Sequence, residues 1–127
     1  MVSQATFERW VGEAIGSLPA FFTERIQNVA FVVEDVPSPE VLEEHPQDLL
    51  GLYQGVPLPE RSVWQDLPPM PDVITLYQKN IESICRNQAE VKRQIALTVM
   101  HELGHYFGLS EEEMDAVETR WAEDEPA

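Results

Sequence analysis

Positive charge is what this chain has least of. Eight lysines and arginines stand against 23 aspartates and glutamates, a formal net charge of −15 over 127 residues. A surface carrying that field repels phosphate backbones and anionic headgroups, so neither nucleic acid nor a membrane surface is an expected partner. Cysteine is nearly absent. Cys85 has no second thiol with which to close an internal disulfide, and its neighbours Ile84 and Arg86 read as an ordinary helical or strand segment rather than an activated thiol site. Long apolar runs are missing too: no stretch approaches the roughly 18 residues of a membrane span, and residues 1–9 lack the basic start and apolar core of a signal peptide. The reducing cytoplasm is the expected compartment, and length and composition suggest one soluble domain spanning 1–127, monomeric or weakly oligomeric.

What is present falls into three parts. Phe7, Trp10, Val11, Ala14, Ile15 and Leu18 recur at spacings of three and four, predicting an amphipathic helix over 4–18 that Pro19 ends. The run Val29-Ala30-Phe31-Val32-Val33 is short, continuous and β-branched, the pattern of a buried strand. Eight of the ten prolines fall between Pro37 and Pro71, so that region reads mostly as loop. Inside it, 49–55 can form a strand with glycine breaks, and 73–79 is a better one. About three strands in a small mixed sheet are expected, which makes the fold class α+β. The last third is helical. Asn87 with Glu90 has the form of an N-terminal cap, Val91, Ile95, Val99 and Leu103 supply an apolar stripe, and Gly108 is placed to end a helix over about 88–107. Ser110 with Glu113 opens a final helix on which Met114, Val117 and Trp121 share a face. The acidic tail Glu123-Asp124-Glu125 reads as unordered.

Two of the three histidines lie in the last turns of the longer helix, in His101-Glu102-Leu103-Gly104-His105. Histidines four apart project from one helical face, so their ring nitrogens can converge on one ion. Glu102 stands about 100° round from His101. It is too close for a comfortable third ligand and well placed beside an open metal position, where it can take a proton from water. Burying both imidazoles without a partner would leave polar nitrogens unsatisfied, which argues against a purely structural role.

The third ligand is less determined. Gly108 lets the chain leave the helix sharply and Glu111 follows three residues later, so a short turn can return its carboxylate to a zinc ion with three protein ligands and one open position. Glu112 and Asp115 compete, as does Glu118 if the final helix packs antiparallel to the first. Acidic residues in a first helical turn are also favoured by the helix dipole without any metal.

The segment His101-Glu102-Leu103-Gly104-His105-Tyr106-Phe107-Gly108-Leu109 resembles the zincin metallopeptidases. Its extension through Gly108 is similar to the form shared by metzincins and Asp-zincins, whose next ligand is His or Asp where Glu111 stands here. Glu111 is therefore a departure, one methylene longer than Asp. There is no Met-turn, and the 16 residues after Glu111 are too few for a metzincin's C-terminal subdomain. The chain as a whole is similar to minimal zincin-like proteins of bacteria, in which a small sheet, the motif helix and one more helix form the domain, and the likeness extends to Gly51-Leu52-Tyr53-Gln54-Gly55.

That resemblance implies a zinc metallopeptidase with His101, His105 and Glu111 as ligands, Glu102 as general base, and a peptide or protein substrate. It also implies an extended substrate along an edge strand, for which 73–79 is the first place to look. Tyr53, Tyr77 and Tyr106 are unranked candidates for an oxyanion donor. Two other classes remain: a metal-dependent hydrolase of a non-peptide amide, and a non-catalytic protein that binds metal or peptide. His45 reads as an exposed loop residue, Trp10, Trp64 and Trp121 as packing, and 57–71 as either a lid or a proline-stiffened connection. Acidic residues gather at Glu111, Glu112, Glu113 and Asp115, where they can draw cations or basic peptides to the site.

Overall fold

Three short strands of four to six residues cannot each bury an apolar face alone, and here they pair into one sheet against which the helices over Gln4–Ser17 and Gln88–Phe107 pack. The structure is a computed structural model that describes residues 2–56 and 72–124. In chain order the elements are α1 (Gln4–Ser17), α2 (Ala20–Thr23), β1 (Val29–Glu34), α3 (Pro39–Leu42), β2 (Gly51–Gln54), β3 (Asp72–Tyr77), α4 (Gln78–Ser83), α5 (Gln88–Phe107) and α6 (Glu111–Asp124). The expected α+β class with a small mixed sheet, an N-terminal helix, the motif helix and a C-terminal helix is what is found.

The sheet order is β1-β3-β2, with β1 parallel and β2 antiparallel to the central β3. Register and pleat sort the side chains. Gly51 and Tyr53 of β2 pair with Leu76 and Ile74 of β3, which pair in turn with Val33 and Phe31 of β1, and all six point to one face. That face meets the helices: Ile74 and Leu76 are fully buried, while Val32 on the other face is exposed. The expected strand at 73–79 ends early, because Gln78 opens α4, where the buried Gln78 amide donates to the main-chain oxygen of Val2.

Helix α1 forms as its periodicity predicts. Ser3 caps it by accepting the N–H of Thr6, and Phe7, Trp10, Val11 and Ala14 are buried against the core. Helix α5 occupies the predicted span. The Asn87 side chain accepts the N–H of Glu90 at its start; at its end Gly108 takes the left-handed conformation, φ 75° and ψ 27°, and Leu109 N–H closes back on the Gly104 carbonyl. One residue later the Ser110–Glu113 capping box is complete in both directions and starts α6.

The described part of the proline-rich region is mostly loop, as expected, and carries the short α3, where Pro39 stands in the first turn and loses no helical hydrogen bond, and Ser38 supplies the cap. Other expectations are corrected. Glu123 and Asp124 belong to the last turn of α6 rather than to an unordered tail. His45 is half-buried rather than exposed. Trp10 is in the core and Trp121 packs against it, while Trp64 and the 57–71 segment lie outside the described residues. Among the described residues no helix is long and apolar enough to cross a membrane.

Candidate metal centre

Helix α5 runs across the inner face of the sheet, and its close approach to β2 decides where the histidines sit. Gly51 is the reason the two can touch. A Cβ there would lie 2.7 Å from Thr98 Cγ2 and 3.3 Å from Glu102 Cγ, so only glycine fits at this crossing. One pleat further on, the Tyr53 ring meets the Tyr106 ring edge to face at 6.0 Å.

Three side chains gather on α5 at this point. His101, Glu102 and His105 each offer a ligand atom, and these atoms lie within 4.8 Å of one another, the one such group among the described residues. The imidazole rings are perpendicular, 82° between planes with centroids 4.9 Å apart. Both histidines are half-buried, whereas Glu102 is only 7% exposed. Burial pushes the Glu102 carboxyl above its ordinary value. The His105 and His101 imidazoles and a hydrogen bond from the Tyr53 main-chain N–H pull it back, and Glu111 pushes it up further.

The Tyr53 bond fixes the relation of the helix to the strand. Tyr77 N–H donates to the Leu50 carbonyl, and Leu52 pairs with Thr75, so Leu50 and Leu52 turn their main-chain groups towards β3. Gly51 and Tyr53 therefore turn theirs to the opposite edge, where the Glu102 carboxylate waits. The strand beside the site is thus β2. The expectation that 73–79 would present the edge is overturned, because β3 is paired on both sides.

Two imidazole nitrogens converging beside a buried carboxylate suit zinc, which takes nitrogen and oxygen donors in a small tetrahedral shell. The donors present therefore fit the ion. Of the expected third ligands, Glu111, Glu112 and Asp115 are exposed on α6 and outside the close group, Glu111 lying near enough to act on the charge of Glu102. Glu118 is half-buried, its Oε1 3.2 Å from His101 Nδ1.

The sequence pattern of the zincin-like metallopeptidase family matches residues 26–121, from the loop before β1 to the last turns of α6. The chain belongs to that family. No curated protein matches it. The match takes in α5 and all three strands of the sheet in this zincin-like chain.

Between β2 and α5 lies a cleft of about 360 Å³, lined by Leu49, Leu50 and Gly51 on one side, Gln94, Leu97 and Thr98 on the other, and His101, Glu102 and Glu118 at the histidine end. None of the three candidate tyrosines lines it. The Tyr106 hydroxyl is fully buried, donates to the Gln27 carbonyl and accepts the Gln27 N–H; the Tyr53 hydroxyl donates to Asp72 at 2.7 Å; Tyr77 is buried, which raises its phenol pKa along with Glu34 and Glu102. The tyrosines hold the frame of the site. Sequence reasoning missed the parts that carry no chemical signature, namely the Tyr53 main-chain N–H and the leucines of the cleft. The glycine at 51 was the one available signal of a close crossing.

Proposed function

We propose that this protein is a zinc-dependent peptidase that cleaves an extended peptide laid against β2. The single observation behind the reading is the convergence of His101, Glu102 and His105 beside the edge of that strand turned away from β3. His101 and His105 hold the ion, and Glu111 completes the set from the start of α6. Zinc bound there supplies Lewis acidity, polarising a carbonyl and bringing a water's pKa to about 7.

The chain's own residues do the rest. Glu102, its carboxyl raised by burial and steadied by Tyr53, accepts the proton of the attacking water and delivers it to the leaving amine. A peptide is favoured over other amides because Gly51 turns its N–H and C=O outward at the same edge, a template for strand addition. The leucine-lined cleft is of ligand-site size, about 360 Å³, and suits an apolar side chain next to the scissile bond.

Metal analysis of the purified parent and of His101→Ala tests the site: zinc at one per chain in the parent and none in the variant is expected, and equal zinc in both would sink the reading. Glu102→Gln should keep zinc and lose hydrolysis by at least about 10²-fold. Parent-like turnover in that variant removes Glu102 from the mechanism.

A further inference from the structure

The half-buried pair formed by His101 and Glu118 is not needed to bring the two histidines together, because their spacing on α5 does that. We propose that Glu118 is the positioning carboxylate of the site: it holds the proton on His101 Nδ1, so that Nε2 is the nitrogen presented to the metal. The proposal rests on the reading of His101 and His105 as metal ligands and goes beyond it, since it selects the ligand atom and gives α6 a function.

Three observations carry it. His101 Nδ1 and Glu118 Oε1 are 3.2 Å apart, both side chains half-buried. An ionised carboxylate only accepts hydrogen bonds, so the ring nitrogen facing it is the one bearing hydrogen, and the lone pair is left on Nε2. The Oε1 engaged in that way serves the imidazole rather than the ion, and zinc stoichiometry in Glu118 variants distinguishes this role from that of a ligand.

The second observation is how α6 is held. Met114 is 1% exposed, and a Cβ at Gly104 would overlap its sulfur, so Met114 occupies a notch in α5 that only glycine leaves open. The notch fixes a register. One turn forward on α6, from Met114 to Glu118, corresponds to one turn back on α5, from Gly104 to His101, as antiparallel helices require. The third observation extends it: another turn along α6, Trp121 lies under the Arg93 guanidinium, 5.6 Å from its ring centroid. Gly104–Met114 and Arg93–Trp121 flank His101–Glu118, the second of them about two turns along α5 from His101, so Glu118 is delivered to the imidazole by packing on either side of it. A carboxylate behind a metal-bound imidazole fixes its tautomer and orientation and raises its basicity, and losing such a partner costs about 10–100-fold in metal affinity.

The test compares the parent with Glu118→Gln, whose amide oxygen can still accept, and Glu118→Leu, which cannot. In metal-free protein, long-range ¹H–¹⁵N spectra recorded with the imidazole neutral report the tautomer. His101 should carry hydrogen on Nδ1 in the parent and Glu118→Gln and shift to Nε2 in Glu118→Leu. Competition with a chromophoric chelator should show zinc held 10–100-fold more weakly by Glu118→Leu and within a few-fold of the parent by Glu118→Gln, with one zinc per chain and an unchanged cobalt(II) absorption spectrum throughout. Thermal melting of the metal-free variants confirms that they fold. One tautomer common to all three proteins, or parent-like affinity in Glu118→Leu, overturns the proposal. Loss of stoichiometric zinc in both variants also overturns it, by making Glu118 a ligand. The tautomer arm is read without metal, so a parent that binds no zinc sinks the metal reading while that arm still decides the pairing.

Discussion

The Glu102 carboxylate accepts the main-chain N–H of Tyr53, so the residue between the two histidines is moored to the edge of β2 that is turned away from β3. A chain of dependence follows. The strand keeps the carboxylate in place, the carboxylate sits where burial raises its proton affinity, and the approach that allows both is set by a glycine.

The first prediction concerns that raised carboxyl. Its pKa in the folded chain lies above the ordinary 4.5, chiefly through burial, so the folded state binds the proton more tightly than the unfolded one. The resulting stabilisation is full below the unfolded pKa and is lost as pH rises through the folded one. Metal-free Glu102→Gln has no proton to lose and its amide oxygen still accepts from Tyr53. Its melting temperature should therefore exceed that of the metal-free parent at neutral pH, with the gap closing as pH falls towards 4.5. Melting curves across that range, in chelator, decide it; a gap independent of pH would show that Glu102 ionisation is not its source.

The second concerns the crossing of β2 and α5. Gly51→Ala places a methyl 2.7 Å from Thr98 Cγ2 and should cost about 1–3 kcal/mol by overpacking, with hydrolysis falling as the strand is pushed off Glu102. Thr98→Ser removes the opposing methyl and keeps the hydroxyl that accepts from Gln94. The double variant should recover at least about 0.5 kcal/mol relative to the sum of the single changes. Denaturant melts of the four proteins measure this, and strict additivity would mean that the two groups do not meet.

How much of this was legible in advance follows from which residues carry a signature. Helix α5 was readable to its ends, because Asn87 and Gly108 are caps whose chemistry is local, and the histidine pair was readable because helical spacing alone places its members on one face. Strand order was not. Val73-Ile74-Thr75-Leu76 has the stronger β pattern because it is the central strand, paired on both edges, whereas the strand beside the candidate site is the weaker, glycine-broken β2. Burial and function leave opposite marks on composition here, and reading the stronger pattern as the substrate edge confused them. Glu118 was visible only as one acid among several, since its meeting with His101 depends on the Gly104–Met114 register between two helices.

The third prediction follows from the leucines of the cleft. If the side chain beside the scissile bond enters between Leu50 and Leu97, substrates carrying Leu or Phe there should exceed their Ala counterparts in kcat/KM by about 10–200-fold. Leu97→Ala should reduce that ratio mainly by slowing the large-residue peptides. Mass-spectrometric mapping of cut sites in a mixed peptide pool reads both effects, and cleavage without side-chain preference at that position would remove the cleft from recognition.

The last prediction separates a catalytic metal from a structural one. The side chains that close the core, Phe7, Ile74, Leu76, Val91, Ile95 and Val99, are fully buried without help from either histidine, and α5 is capped at both ends by its own residues. Folding therefore does not wait on the ion, unlike domains in which the metal replaces a core. Treated with a chelator, the protein should keep its far-ultraviolet and near-ultraviolet circular dichroism and a cooperative melt. Restoring zinc should then stabilise it by mass action alone, about 2.7 kcal/mol when free zinc is 100 times Kd, with a melting temperature that rises with zinc concentration. The His101→Ala protein should melt like the chelated parent and ignore added zinc. A parent that loses its near-ultraviolet signal on chelation would assign the ion to the fold, and the two histidines would then be read as a clasp between α5 and α6 rather than as a reaction centre.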